Sequence, residues 1–376
     1  MRNGVKSMES IWQQRKGQLA AYLQENGIDI AFITSPTNVY YFTGFSCNPH
    51  ERFLALALDA RTGEETLYMP LLDLSAAEPF GGNGKLVPIS DTQDAYEVLK
   101  QHTASGVAAA GIEKEAVSIA KAERIQDALG GARFVDLEGF ILSLRTKKSE
   151  EEIIKVQNAV LMVEKVVAHA ASHVKIGMTE LELTAEIEYQ MRKLGADRPA
   201  FESIVLTGAR SALPHGTPGY DTIKHGDFVL IDIGVQAGGY CSDITRTFVM
   251  GEASKEQRAI YDTVLAANVA GIAAAKAGVT LASVDKAARD VIEQKGFGPL
   301  FTHRLGHGFG MDVHEQPSVS GQNQSVIEPG LLFTIEPGIY DSVVGGVRIE
   351  DDVYIQADGS VRVLTSYPKE LILLGN

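Results

Sequence analysis

The sequence predicts an α+β protein: a smaller α/β domain over residues 1–144, then a larger domain over residues 145–376 in which helices and strands come in blocks. Three observations carry this. Strand-like and helical stretches alternate from the N-terminus to about Leu137. A charged, apolar-poor stretch, Arg145 to Glu152, then interrupts the pattern. Beyond it come two helices, a group of strands, two more helices and a strand-rich tail, which is not a regular βαβ order.

Each element has a local reason. Apolar residues recur at helical spacing over residues 9–26, and Gly27 closes that helix. Ile28 to Thr34 reads as a strand and Ser35-Pro36-Thr37-Asn38 as a turn. Phe53 to Leu58 and Glu65 to Met69 are strands around the turn residues Asp59 to Gly63. Val87 to Ile89 and Ala108 to Ile112 add strands, with helices near Ala95 to His102 and Ile119 to Leu129. Ser149 and Glu152 form a capping box that opens a long helix to about Val174; Thr179 and Glu182 open a second, to about Leu194. Strands are expected near Ser203 to Leu206, Phe228 to Val235 and Thr245 to Val249, helices over about 254–277 and 282–294, and more strands from Leu331. Neither a 20–50-residue repeat nor a low-complexity tract is present.

With 376 residues, 45% hydrophobic and 22% charged, the chain can bury a sizeable core in two or three domains. A net charge of -14 argues against nucleic acid as a partner and reads mainly as a solvated acidic surface. Cys47 and Cys241 lack the spacing of a redox or zinc site and fit a reducing compartment as small buried hydrophobes. No run reaches the roughly 18 apolar residues of a membrane span. Met1 to Arg15 has no apolar signal-peptide core, so the cytoplasm is the expected location.

The chemistry concentrates in the second half. Asp232 lies inside the apolar run Phe228 to Val235, where an unpaired carboxylate would cost several kcal/mol. Asp243 follows after Gly238-Gly239, a hairpin signal that would bring the two carboxylates side by side. A positive partner is then required, either Arg246 or a metal ion. Glu336 ends an apolar run and is fixed in direction by Pro337 and Gly338. Arg348 and Glu350 share one face by alternation. His303, His307 and His314 cluster among glycines that permit close backbone approach, without the HExxH spacing of a one-zinc helix site. Four carboxylates with one imidazole suit Mn²⁺ or Co²⁺, with Zn²⁺ or Fe²⁺ as alternatives. In two-metal hydrolases bridging ligands hold the ions about 3.5 Å apart.

These motifs resemble those of the proline-specific metallopeptidases, the family of prolidase, aminopeptidase P and methionine aminopeptidase with the pita-bread fold. The resemblance covers nearly the whole chain and is strongest over residues 200–352; Thr34 to Phe45 resembles the non-catalytic N-terminal domain of prolidase-like members. It implies a pita-bread catalytic domain preceded by a creatinase-like α/β domain. It implies that Asp232 binds one metal, that Asp243 and Glu350 bridge two, and that His307 and Glu336 complete the second. His215, His303 and His314 would face the substrate, and Arg348 would orient or neutralise neighbouring carboxylates.

The implied reaction is attack of a metal-bridging hydroxide on the Xaa-Pro bond of a dipeptide. His303 and His314 would support the oxyanion, and Glu336 would carry a proton to the leaving nitrogen. The implied metal is Mn²⁺, the implied partners are small proline-containing peptides, and a homodimer is expected. Asn38 and Tyr40 are expected to pack. A short aminopeptidase P acting on longer peptides is the alternative, because some prolidases carry an arginine after His-Glu-x-Pro, where this chain has Ser318. A catalytically silent binding protein is disfavoured by the five intact ligands. A non-peptide substrate on the same metals stays open.

Overall fold

The computed structural model describes residues 2–82 and 84–375 and divides into two compact units, Met1–Leu144 and Arg145–Asn376. In the first unit, α1 (Arg2–Glu25) ends at Gly27, whose φ of 63° only glycine adopts cheaply. There follow β1 (Ile30–Ile33), α2 (Pro36–Thr43), β2 (Ala55–Asp59), β3 (Glu65–Pro70), the short α3 (Leu74–Ala77), β4 (Lys85–Ile89), α4 (Ala95–His102), β5 (Ala109–Ile112), α5 (Ile119–Ala128) and β6 (Arg133–Asp136). Then α6 (Glu138–Thr146) ends just inside the second unit. The six strands form one mixed sheet in the order β4-β3-β2-β1-β5-β6.

The segment expected as a turn at residues 35–38 is instead the start of α2. Pro36 suits the first helical position, where no N–H is needed. The buried Glu113 accepts hydrogen bonds from the backbone of Thr34 and Ser35 and from the Asn38 amide, a partner far away in sequence that local reading could not supply. Asn38 is buried as expected.

The second unit opens with α7 (Glu150–His173) and α8 (Glu180–Lys193), and both capping boxes read from the sequence are formed. Next come β7 (Arg198–Pro199), β8 (Ile204–Thr207), β9 (Phe228–Ile233), β10 (Val235–Ala237), β11 (Tyr240–Cys241) and β12 (Ile244–Met250). Helices α9 (Lys255–Ala274) and α10 (Leu281–Gln294) lead to β13 (Gly306–Gly308), β14 (Glu315–Val319), β15 (Leu332–Ile335), β16 (Gly338–Asp341), β17 (Gly345–Arg348), β18 (Asp351–Ile355), β19 (Val361–Val363) and β20 (Leu373–Leu374). The order of helices and strands is the expected α+β one. The short β13 was not foreseen, because Gly and His carry no strand signal, nor was β14, whose Glu-Gln-Pro-Ser run includes a charge and a proline.

Two helix pairs back two groups of strands. Val229, Ile231 and Ile233 of β9 share a core with Val163, Val167 and Ala170 of α7 and Leu183 and Ile187 of α8. Phe333 and Ile335 of β15 and Val353 and Ile355 of β18 share another with Ile260, Val264 and Ala267 of α9 and Val284 and Ala288 of α10. Burying each such aliphatic or aromatic side chain contributes about 1.5–3 kcal/mol. Strand alternation then decides the rest: with Ile231 and Ile233 committed to the helices, Asp232 must point the other way.

Candidate active site

The β9–β12 pair sets the first two carboxylates. Thr245 lies opposite Asp232, and Asp243 precedes Thr245 by two residues on the same face. The β10–β11 hairpin between them turns at Gly238 and Gly239, both with positive φ (58° and 81°), as two-residue hairpin turns require. Arg246 lies on the opposite face and does not serve this pair. Its guanidinium donates to Asp351 at 2.8 Å and to the carbonyls of Tyr367 and Pro368.

The histidine strand depends on its glycines. A Cβ on Gly306 would lie 2.0 Å from the Thr334 carbonyl oxygen, and one on Gly308 would lie 2.0 Å from that of Gln316. His307 is thereby pressed between β14 and β15. Burial holds its imidazole down to about 3, so the ring is neutral near pH 7. Its Nδ1 lies 3.1 Å from the Gly308 carbonyl, which can only accept, so Nδ1 carries the hydrogen. The bare Nε2 then faces Glu336 Oε1 at 3.4 Å and Asp243 Oδ2 at 3.7 Å. A neutral lone pair aimed at two carboxylates is no ion pair, whatever its proximity.

Glu336 and Glu350 leave the ends of their strands from a shared support. Asn268 of α9 donates to the carbonyls of Ile335 at 3.0 Å and Ile349 at 3.4 Å, one residue before each glutamate. Thr245 donates to Glu350 Oε2 at 2.8 Å and accepts from Arg348 Nε at 3.1 Å. Arg348 also donates to Asp232 and, at 2.7 Å, to the Tyr340 hydroxyl. The Tyr340 hydroxyl is 2.8 Å from His303 Nε2, while His303 Nδ1 is 2.7 Å from the Arg304 carbonyl. The carbonyl again fixes the tautomer: Nδ1 donates, and Nε2 accepts from Tyr340. Burial, followed by the charge of Arg348, lowers the His303 pKa to about 4.

The nine residues that the resemblance assigns to the site line one cavity of about 350 Å³: His215, Asp232, Asp243, His303, His307, His314, Glu336, Arg348 and Glu350. Phe201, Ile204, Pro214 and Val313 add apolar wall. Ligand atoms of Asp243, His307 and Glu350 all lie within 4.8 Å of one another. Burial, reinforced by mutual repulsion, holds the Asp243 and Glu350 carboxyls well above the usual range and raises Glu336 to about 7. Arg348 serves Asp232, and the remaining buried oxygens with one bare imidazole nitrogen fit a divalent cation.

Four neighbours escaped the sequence reading. Thr245 was legible, since it alternates with Asp243. Tyr340 joins Arg348 to His303 only through tertiary contact. Asp352 accepts from the Asp243 backbone N–H at 3.3 Å, which depends on strands far apart in sequence meeting. Arg304 lines the cavity, makes no ion pair among the described residues, and touches Ser318 Oγ only at 3.5 Å.

The profile of Metallopeptidase family M24 matches residues 155–357, and that of the Creatinase/Prolidase N-terminal domain matches residues 15–147. The chain belongs to metallopeptidase family M24, with the pita-bread catalytic fold expected of it. A Bacillus subtilis relative whose name proposes a dipeptidase is 41% identical over 362 residues, 95% of this chain and 99% of its own. Among solved structures, an Xaa-Pro dipeptidase from Bacillus anthracis matches with a TM-score of 0.90 at 32% identity, over 96% of this chain and 100% of that one. An X-Pro aminopeptidase from Thermotoga maritima matches with a TM-score of 0.85 at 33% identity, over 93% and 98%.

Proposed function

We propose that this metallopeptidase hydrolyses Xaa-Pro dipeptides with two divalent ions held by Asp232, Asp243, His307, Glu336 and Glu350. The observation that supports this best is the convergence of these five side chains on one cavity, with the Nε2 of a neutral His307 facing carboxylates. Mn²⁺ is the metal that the oxygen-rich set favours. The bound ions supply Lewis acidity, which polarises a carbonyl and lowers the pKa of a coordinated water.

The chain's own residues do the rest. Glu336 faces the cavity and carries a proton toward the leaving proline nitrogen. His303 has both nitrogens engaged, so it positions Tyr340 rather than donating to an oxyanion. This moves the donor role from His303 to His314 and His215, which line the cavity. Arg348 holds Asp232 and, through Thr245, Glu350. Phe201, Ile204, Pro214 and Val313 offer apolar contact to the proline ring.

Arg304 supports the dipeptidase reading over the aminopeptidase one. A dipeptide brings a free carboxylate into the cavity. Arg348 is committed to Asp232 and Tyr340, whereas Arg304 makes no ion pair among the described residues. We assign the carboxylate to Arg304, whose guanidinium lies 3.5 Å from Ser318 Oγ.

The test is metal-stripped protein reconstituted with Mn²⁺, Co²⁺ or Zn²⁺ and assayed on Ala-Pro, Ala-Pro-Ala and Ala-Ala. The dipeptidase reading expects Ala-Pro to be cleaved fastest. Preferential cleavage of Ala-Pro-Ala would transfer the assignment to an aminopeptidase, and activity on Ala-Ala alone would overturn the proline preference. Arg304→Ala should raise KM for Ala-Pro about 10- to 100-fold, the value of one charged hydrogen-bonded contact, and leave Ala-Pro-amide unchanged. Equal effects on acid and amide would remove Arg304 from that role.

A further inference from the structure

A second group of metal-ligating side chains lies outside the cavity. His169 and His173 are one helical turn apart on α7, so their imidazoles project on the same face. The rings are stacked, with centroids 5.0 Å apart and planes 21° from parallel. From the neighbouring α8, Glu186 reaches the same point: its Oε1 lies 2.7 Å from His169 Nε2. Gln190, one turn further along α8, donates to that oxygen at 2.9 Å and steadies the carboxylate. One ligand atom from each of His169, His173 and Glu186 falls within 4.8 Å of the others.

The frame that holds the three is rigid. Val166, Val167 and Ala170 of α7 and Leu183 and Ile187 of α8 are buried in one core, which fixes the separation of the two helices. Their outward neighbours, by contrast, are partly solvent-exposed: the side chains of His169 and Glu186 are 32% and 25% accessible. Donors around a tetrahedral Zn²⁺ stand about 3.3 Å apart, given bonds of about 2.0–2.1 Å. The three ligand atoms already lie within 4.8 Å of one another, so a closure of about 1.5 Å at most would reach that spacing. An ordinary His169–Glu186 ion pair accounts for two of the three groups. It leaves the His173 imidazole with its stacking on His169 and no side-chain hydrogen bond among the described residues.

We propose that His169, His173 and Glu186 form a peripheral Zn²⁺ site that ties α7 to α8. Two imidazoles with one carboxylate select a borderline cation with open positions for water. Mn²⁺ is the weakest binder of the divalent series at such nitrogen-rich sites, which separates this site from the carboxylate-rich cavity. The assignment does not rest on the peptidase reading, since neither histidine nor Glu186 lines that cavity.

The full chain, saturated with Mn²⁺, is dialysed against Zn²⁺, and bound zinc and manganese are counted by mass spectrometry alongside thermal unfolding. Exchange of zinc into the cavity adds equally to all proteins, so differences between them report the peripheral site. Wild type should hold one zinc equivalent more than His173→Ala, and Glu186→Gln should bind that zinc at least tenfold more weakly. At zinc concentrations 100-fold above the dissociation constant, wild type should gain about 5 °C in Tm beyond His173→Ala. Activity in Mn²⁺ should be the same in all three, which certifies their fold. Equal zinc content and equal thermal shifts in wild type and both variants would overturn the site.

Discussion

Glu315 and Glu350 are both buried glutamates of the second unit, and they have opposite electrostatics. Glu315 receives Lys148 at 3.0 Å, the guanidinium of Arg145, and the backbone N–H groups of Met311 and Asp312. These cations and donors hold its carboxyl down to about 2 despite burial. Asp351, adjacent to Glu350, is likewise paired with Arg246 at 2.8 Å and Lys369 at 2.6 Å, and its carboxyl is lowered. Glu350 and Asp243 are pushed the other way, first by burial and then by each other's neighbours. The difference separates two uses of a buried carboxylate. Where the fold supplies fixed cations, the group is structural. Where carboxylates are gathered without enough of them, the arrangement is stable only with exchangeable positive charge, which is the signature of a metal centre.

The strongest way to break this comparison is to remove a carboxylate from the second group. Asp243→Ala or Glu350→Ala should lower turnover of Ala-Pro by at least about 1000-fold and strip metal, read by kinetics and elemental analysis. Full occupancy of two ions in either variant would contradict the proposed bridging roles. In the first group, Glu315→Gln should leave metal content unchanged and destabilise the fold instead. The expected loss is about 3 kcal/mol, or roughly 10 °C in Tm, because two buried cations lose their shared partner.

The same contrast sharpens with pH. The folded pKa of Glu315, about 2, lies below the ordinary 4.5, so its contribution is present above about pH 4.5 and is lost as pH falls through about 2. Urea unfolding from pH 5 to pH 2 should therefore show a steeper acid decline for wild type than for Glu315→Gln. The smallest effect is expected at Tyr340, which joins Arg348 to His303 without touching Glu350. Tyr340→Phe should reduce kcat about 10-fold at unchanged metal content, as loss of a supporting hydrogen bond does.

How legible the site was follows from how local each signal is. Asp232 stood out because a charge inside Phe228 to Val235 violates the strand pattern, and Gly306 and Gly308 announced close packing around His307. The capping boxes at Ser149 and Thr179 were readable for the same reason: donor and acceptor lie three residues apart. The first turn of α2 was misread because Glu113, which holds it, is remote in sequence. Tyr340, Asp352 and Arg304 were missed because their chemistry depends on which strands meet. The choice between Arg246 and a metal as partner for the carboxylates also needed coordinates, which send Arg246 to Asp351.

The most direct test of the central claim is a metal titration of stripped protein, with bound ions and Ala-Pro turnover measured on the same samples. Activity should rise with Mn²⁺ and reach its plateau at two ions per chain. Full turnover in samples that retain none would contradict a catalytic centre built on Asp243, His307 and Glu350.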